Sequence, residues 1–307
     1  MALTLPEDRL RVSKMVLFLR GWSDAGSMAE TVFSTIRRKL PCRRVGIMEM
    51  GAYVLTSEQR PTVRIHHGVL KDFQWPTLEF YRPEAEAHQH VLFAIGPEPS
   101  VHWRGFVSEF LGAVTAWPCA ELLLVGSFYD QVFYDEIRIS GVAVNAAGYN
   151  LLRHWQCQPV SYEGPASVYS AILHELRHST MTVVNLWAHM PFYLKGPHEL
   201  LVHRMMEIIG QFAHIAWDLD DILAEWKNRE MEIEEVLAQD PSLGEQILAL
   251  KKQEQTPLGA PHHGNGRGTE NTEEGKDDAT PSMPKPHVRG ADVIDFQKFH
   301  KKGKTDD

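Results

Sequence analysis

The stretch Met15–Lys39, MVLFLRGWSDAGSMAETVFSTIRRK, decides how this chain is read. Met15 to Leu19 form an unbroken apolar run, the mark of a strand covered on both faces, and it stops at Arg20 and a glycine. Gly21-Trp22-Ser23-Asp24-Ala25-Gly26 reads as a tight loop, after which Met28, Val32, Phe33 and Ile36 recur at helical spacing. Strand, glycine loop and helix in that order bring free backbone N–H groups to the carboxyl end of a strand, where open α/β sheets hold ligands. Gly21 and Gly26 are spaced as in a P-loop, yet Ser27-Met28 stands where phosphate and metal binding need Lys-Ser/Thr, and there is no GxGxxG. Asp24 has two readings, a cap on the following helix or a direct ligand contact.

Outward from this unit, Arg43–Met50 reads as a second strand, which predicts a parallel β-α-β pair. Tyr53–Glu79 alternates in short pieces around Arg60-Pro61 and Trp75-Pro76, as small antiparallel strands or an inserted hairpin do. His90–Gly96 and Glu121–Gly126 are further apolar strands, with a helix between them marked by Phe106, Phe110, Leu111 and Val114. Gly141–Leu152 reads as a loop and short helix, Ala166–His178 as a helix, and Met181–Ala188 as a β-branched strand. Strands alternating with helices predict a three-layer α/β fold with a mainly parallel sheet. From Pro197 the pattern is purely helical, in stripes at 200–215, 219–237 and 243–250. Beyond Gln255 large apolar residues almost vanish, which predicts disorder, with Val293–Phe296 as a short docking helix. The expected organisation is therefore residues 1–196 as core, 197–254 as a helical extension and 255–307 as a disordered polar, acidic tail.

The bulk composition narrows the functions. The 307 residues are 43% hydrophobic and 23% charged, an ordinary globular balance. A net charge of −9, with no basic stripe interleaved with aromatics, argues against nucleic acid. No apolar run reaches the length of a membrane span, and MALTLPEDRLRVSK lacks the pattern of a secretory leader. Cys42, Cys119 and Cys157 form no CxxC and no even framework, so a reducing cytoplasm is expected.

The sharpest motif is His174-Glu175-Leu176-Arg177-His178, which matches HExxH: two imidazoles one turn apart with a glutamate as general base. Glu199 stands at a distance suited to a third ligand. Val168, Ile172 and Leu176 define the buried side of that helix, however, and the histidines fall roughly 120–160° from Ile172, on the outside. The sequence also holds 16 histidines, so chance pairs are frequent. The pair is read as a decoy, with no metal expected, and zinc hydrolysis through this motif stands as a distant third reading of the function. His66-His67 lie in a strand, where neighbours point to opposite faces. Cys119 reads as a small core residue. Neither Ser23 nor Ser167 is tied by spacing to a histidine and an acid, and Gly264, Gly266 and Gly268 are linker.

Taken in order, these segments resemble the PAC2 family, the proteasome assembly chaperone 2-like proteins. The matching pieces are Gly21–Gly26, Arg60-Pro61 through Gly68 to Trp75-Pro76, Gly96-Pro97-Glu98-Pro99 and Gly126-Ser127. Tyr162-Glu163-Gly164-Pro165, Met190-Pro191-Phe192-Tyr193, Leu219-Asp220 and Leu237-Ala238-Gln239-Asp240 complete the series. The resemblance implies a phosphorylase/hydrolase-like α/β fold with a helical C-terminal extension, homo-oligomers, and a non-enzymatic assembly or binding role without cofactor. Its partners are expected to be proteins, proteasome subunits among them, although the terminal Gly303–Asp307 lacks the hydrophobic-Tyr-X ending of proteasome-docking relatives. The partner face is expected on the helices from Leu200 to Leu250. A rival reading is a small-ligand binder, hydrolase or phosphorylase whose pocket gathers Gly21, Asp24, Gly26, Glu163, Gly164 and Tyr193 at strand ends and helix starts.

Overall fold

The computed structural model describes residues 12–241, 244, 245 and 247. The opening unit folds as read: strand β1 (Lys14–Arg20), the loop, a 3-10 turn at Ala25–Ser27, then helix α1 (Met28–Lys39). The other strands of the main sheet are β2 (Cys42–Glu49), β5 (Thr77–Pro83), β6 (Val91–Pro97), β7 (Glu121–Asp130), β8 (Ile139–Ala143), β9 (Gln158–Pro159) and β10 (Thr182–Pro191). They run in the order β2-β5-β6-β1-β7-β10-β8-β9. The centre, β6-β1-β7-β10, is parallel, while β5 and β8 run antiparallel to the strands they flank. Strands β3 (Thr62–His66) and β4 (Val69–Gln74) form a separate two-stranded hairpin.

Side chains alternate across β1, so Val16 and Phe18 face one layer, and Met15, Leu17 and Leu19 the other. The first layer holds α1, α3 (Ala146–His154) and α5 (Glu199–Ala213). The second holds α2 (Trp103–Ala116) and α4 (Val168–Leu176). The result is the three-layer α/β arrangement that the pattern predicts. The apolar stripe of α5, including Leu201, Met205, Ile208 and Phe212, is spent on the sheet core rather than left for a partner. Helix α6 (Asp220–Gln239) closes a smaller cluster in which Trp226 and Ile233 meet Phe133, Tyr134 and Tyr193. No helix of the described residues is long and apolar enough to cross a membrane.

Several expectations are corrected. Strand β2 does not pair with β1; it pairs antiparallel with β5 at the sheet edge. Its exposed Arg43, Arg44 and Glu49 cannot occupy a position covered on both faces, whereas the wholly buried β6 and largely buried β7 can. The stretch after Gly141 is not only loop and helix, because β8 precedes α3. Gly141 is needed there, since a Cβ would strike Leu152 Cδ2 and lie 3.0 Å from Asn185 O. Strands β7 and β10 run on to Asp130 and Pro191, beyond the expected stops at Gly126 and Ala188. The tail 255–307, its 293–296 segment and most of the 243–250 stripe lie outside the described residues.

Candidate functional site

The site grows from the carboxyl ends of β1 and β6. Glu98 N donates to Arg20 O at 2.8 Å, carrying the pairing one step past the strands. The Glu98 side chain then folds beneath Gly21, where a Cβ would lie only 2.8 Å from Glu98 Cβ. Ser23 donates to Glu98 Oε2 twice, from its backbone N at 2.8 Å and its hydroxyl at 2.9 Å. Ser127 locks the loop to β7: its N donates to Ser23 O at 2.9 Å and its hydroxyl to Ala25 O at 2.9 Å. Beneath this, the buried Tyr169 hydroxyl accepts from Leu19 N and donates to Val125 O. Charge-assisted and buried bonds of this kind hold a loop far more firmly than exposed ones. Above them opens a cleft of about 280 Å³, lined by Gly21, Trp22 and Glu98, by Glu58 and Trp103, and by Ala166 from the segment before α4.

The expected gathering of site residues is only partly made. Gly21 lines the cleft. Asp24 lies behind it, where Oδ1 accepts from Ala29 N at 2.6 Å and caps the first turn of α1. Gly26, at φ +64°, is pressed against Met190 and Gly196. Glu163 and Gly164 are exposed, and that loop reaches the cleft through Ala166 instead. Tyr193 is elsewhere: it is buried in the α6 cluster and donates to Val132 O at 3.2 Å. Glu98 is the residue the sequence conceals. The run Gly96-Pro97-Glu98-Pro99 reads as a strand stop, and nothing local marks its carboxylate as buried.

Burial pushes the Asp24 carboxyl up to about 6, against the opposing pull of the Ala29 hydrogen bond. Between about pH 4 and 6 the folded chain therefore holds a proton here that the unfolded chain releases, so this group makes stability fall as pH rises through that window. Asp24→Asn keeps the cap acceptor and removes the titration. Urea unfolding across the window should show the variant gaining on the parent as pH rises; an unchanged difference would place the proton elsewhere.

The helix that carries the HExxH pattern is shorter than the expected Ala166–His178. Helix α4 ends at Leu176, so His178 lies beyond it, and His174, Glu175 and His178 are all exposed. Glu199 is engaged by Arg229 at 2.8 Å in the other layer. His66 and His67 do not point apart as expected; their rings meet at 4.1 Å. The turn needs φ > 0 at both central residues, His67 (48°) and Gly68 (74°), which swings the second ring round. Burial pushes the Cys119 thiol up to about 12, as suits a core residue.

A second constellation had no signal in the sequence. His189 Nδ1 lies 2.7 Å from Asp130 Oδ2, and His189 Nε2 lies 2.8 Å from Ser140 Oγ. The His189 hydrogen bond, with help from Gln131 N and Arg138, holds the Asp130 carboxyl below its ordinary range. With Asp130 ionised, Nδ1–H donates to it and Nε2 accepts the serine proton, the order of a Ser-His-Asp relay. Ser140 is only 5% and His189 9% exposed, and Ser140 sits within a strand paired on both sides, so an acyl group has no approach to Oγ. The relay ties β7, β10 and β8 together and satisfies a buried imidazole.

Comparison with solved structures places this architecture. The chain is similar to a Mycobacterium tuberculosis proteasome-assembly chaperone homologue, at 23% identity and TM-score 0.66, covering 74% of this chain and 96% of that one. A PAC2 family protein of Streptomyces avermitilis matches at 21% identity and TM-score 0.64, over 73% and 95%. An archaeal proteasome activator of Pyrococcus furiosus matches at 12% identity and TM-score 0.57, over 76% and 98%. A comparison with curated proteins found no match. The model of the PAC2 family matches residues 18–237, most of the chain, so this chain belongs to the PAC2 family.

Proposed function

We propose that this chain is a cytoplasmic, non-enzymatic assembly or protein-binding factor that associates with itself and with protein partners through the β3–β4 hairpin. Chaperone and activator roles named for its structural neighbours, including proteasome assembly, support this class of reading. The observation that carries it is the hairpin face. Register pairs Val63 with Phe73 and Ile65 with Leu70 on one side, while Arg64 and Asp72 pair on the other. The four apolar side chains are 48–62% exposed, and Trp75 packs edge-on against Phe73. A lone two-stranded ribbon is marginal in water, and a contiguous exposed apolar face marks an interaction surface.

Ile65→Lys combined with Phe73→Lys tests it. Each buried apolar side chain contributes about 2 kcal/mol to an interface, about thirtyfold in affinity. The double variant should therefore be monomeric by light scattering at concentrations where the parent is oligomeric, with an unchanged thermal midpoint. A parent that is itself monomeric and captures no partner at micromolar concentration removes the reading. A second reading, small-ligand binding with or without hydrolysis or phosphorolysis, is favoured by one observation, the Glu98 cleft at the carboxyl ends of parallel strands.

A further inference from the structure

Both hydrogen bonds to Glu98 fall on Oε2. Among the described residues no hydrogen bond falls on Oε1, and the residue, which lines the cleft, is only 9% exposed. A carboxylate held through one oxygen in the wall of a cleft has its other oxygen left to accept from a ligand. The cleft wall adds a second carboxylate, Glu58, whose Oε2 accepts from Ser100 Oγ at 3.1 Å. Two indoles complete it. Trp22 is 64% exposed, and Trp103 is oriented by donating its Nε1–H to Pro99 O at 2.8 Å. No Lys, Arg or His stands among the described lining residues.

We propose that this cleft binds an organic cation, an alkylammonium or guanidinium group paired with Glu98 Oε1 and resting on the faces of Trp22 and Trp103. The inference rests on the ligand-binding reading and names its ligand class. An anion would meet two carboxylates and no cation. A neutral apolar group would leave Oε1 buried without a partner. A hard metal ion needs six or more oxygens, and the lining does not gather them. Indole faces attract cations, and most strongly those that are weakly hydrated. The volume suits a ligand the size of an amino acid or polyamine fragment. Gly21 is a requirement of the design, because any side chain there would displace Glu98.

Calorimetric titration of the full chain with agmatine, and with a neutral urea of equal length, tests the proposal. Agmatine should bind saturably, and the urea about tenfold or more weaker. Glu98→Gln keeps an acceptor for Ser23 and should weaken agmatine about tenfold. Trp22→Ala, at an exposed position that folding does not require, should weaken it severalfold. A capped peptide with a single arginine separates the two sources of the group: tighter binding than agmatine indicates a partner's side chain, weaker binding a free amine. Equal binding of urea and agmatine would overturn the cation preference while keeping the cleft as a ligand site. Absence of saturable binding by any probe, or an unchanged affinity in Glu98→Gln, would overturn the proposal. None of these variants touches the hairpin, so light scattering of the same samples reports on self-association independently.

Discussion

Gly26→Val should destabilise the fold by about 3–5 kcal/mol, a large part of the 5–15 kcal/mol that holds a typical domain together. Gly26 has φ +64° and ψ 16°, in the left-handed region where a β-branched residue is strained by about 1–3 kcal/mol. Its Cβ would also strike Met190 Cε, and it would lie 2.9 Å from Gly196 O. Methionine can swing away, but a backbone carbonyl cannot, so overpacking adds about 1–3 kcal/mol. The damage would also loosen Gly26 N from Tyr129 Oη, 3.2 Å away, and so the joint between the β1 loop and β7. Gly112 supplies the contrast. It lies exposed within α2 with nothing within 4 Å of where an alanine methyl would sit, so Gly112→Ala should stabilise by about 0.5–1 kcal/mol. Urea midpoints that move in opposite directions for the two variants would confirm the distinction; a neutral Gly26→Val would show that the loop can refold around a side chain.

The Gly26 turn was readable because everything it needs is local: an apolar run, a glycine loop and a helical period. The neighbours of β1 were not. Adjacency in a parallel sheet is decided by which strands can be covered on both faces, and charged β2 loses that competition to β6 and β7, although it follows β1 in sequence. Strand length had a further consequence. Because β10 continues to Pro191 instead of stopping at Ala188, Tyr193 leaves the sheet beyond the strand-end cleft and enters the α6 cluster.

The site shows the same division. Gly21 and the Asp24 cap announce themselves within one turn of chain, whereas Glu98 acquires its role from Ser23, 75 residues away. The relay of Asp130, Ser140 and His189 is likewise assembled across separations of 59 and 49 residues, on β7 and β10, whose ends local periodicity placed too early, and on β8, which it did not read as a strand. The hairpin was legible as antiparallel strands, but the exposure of its apolar face follows from its detachment from the main sheet. Alternation alone gives a strand a dry side without saying whether anything covers it.

Acid is expected to release α6 from the body. His198 is 1% exposed and caps α5: Nδ1 accepts from Leu201 N at 3.3 Å, while Nε2–H donates to Tyr134 O at 2.7 Å. Its ring stacks on Trp226 of α6, with centroids 4.7 Å apart and planes within 17°. Burial lowers its pKa from 6.5 to about 4, with Arg229 adding repulsion. Below pH 6.5 the unfolded chain takes up a proton here before the folded chain does, so stability is fully present above that value and drains as pH falls towards 4. The shift corresponds to about 3 kcal/mol, opposite in sign to the Asp24 effect in the same window. A proton on Nδ1 also removes the acceptor for Leu201 N, so the loss is felt first where α5 begins and α6 leans on it. His198→Asn keeps a cap acceptor without a titrating ring. Its stability should start lower, through loss of the Trp226 stack, and fall less between pH 6.5 and 4 than that of the parent. Parallel pH profiles for the two proteins would mean that the folded imidazole takes up its proton over the same range as the unfolded one, or that another buried group carries the acid sensitivity.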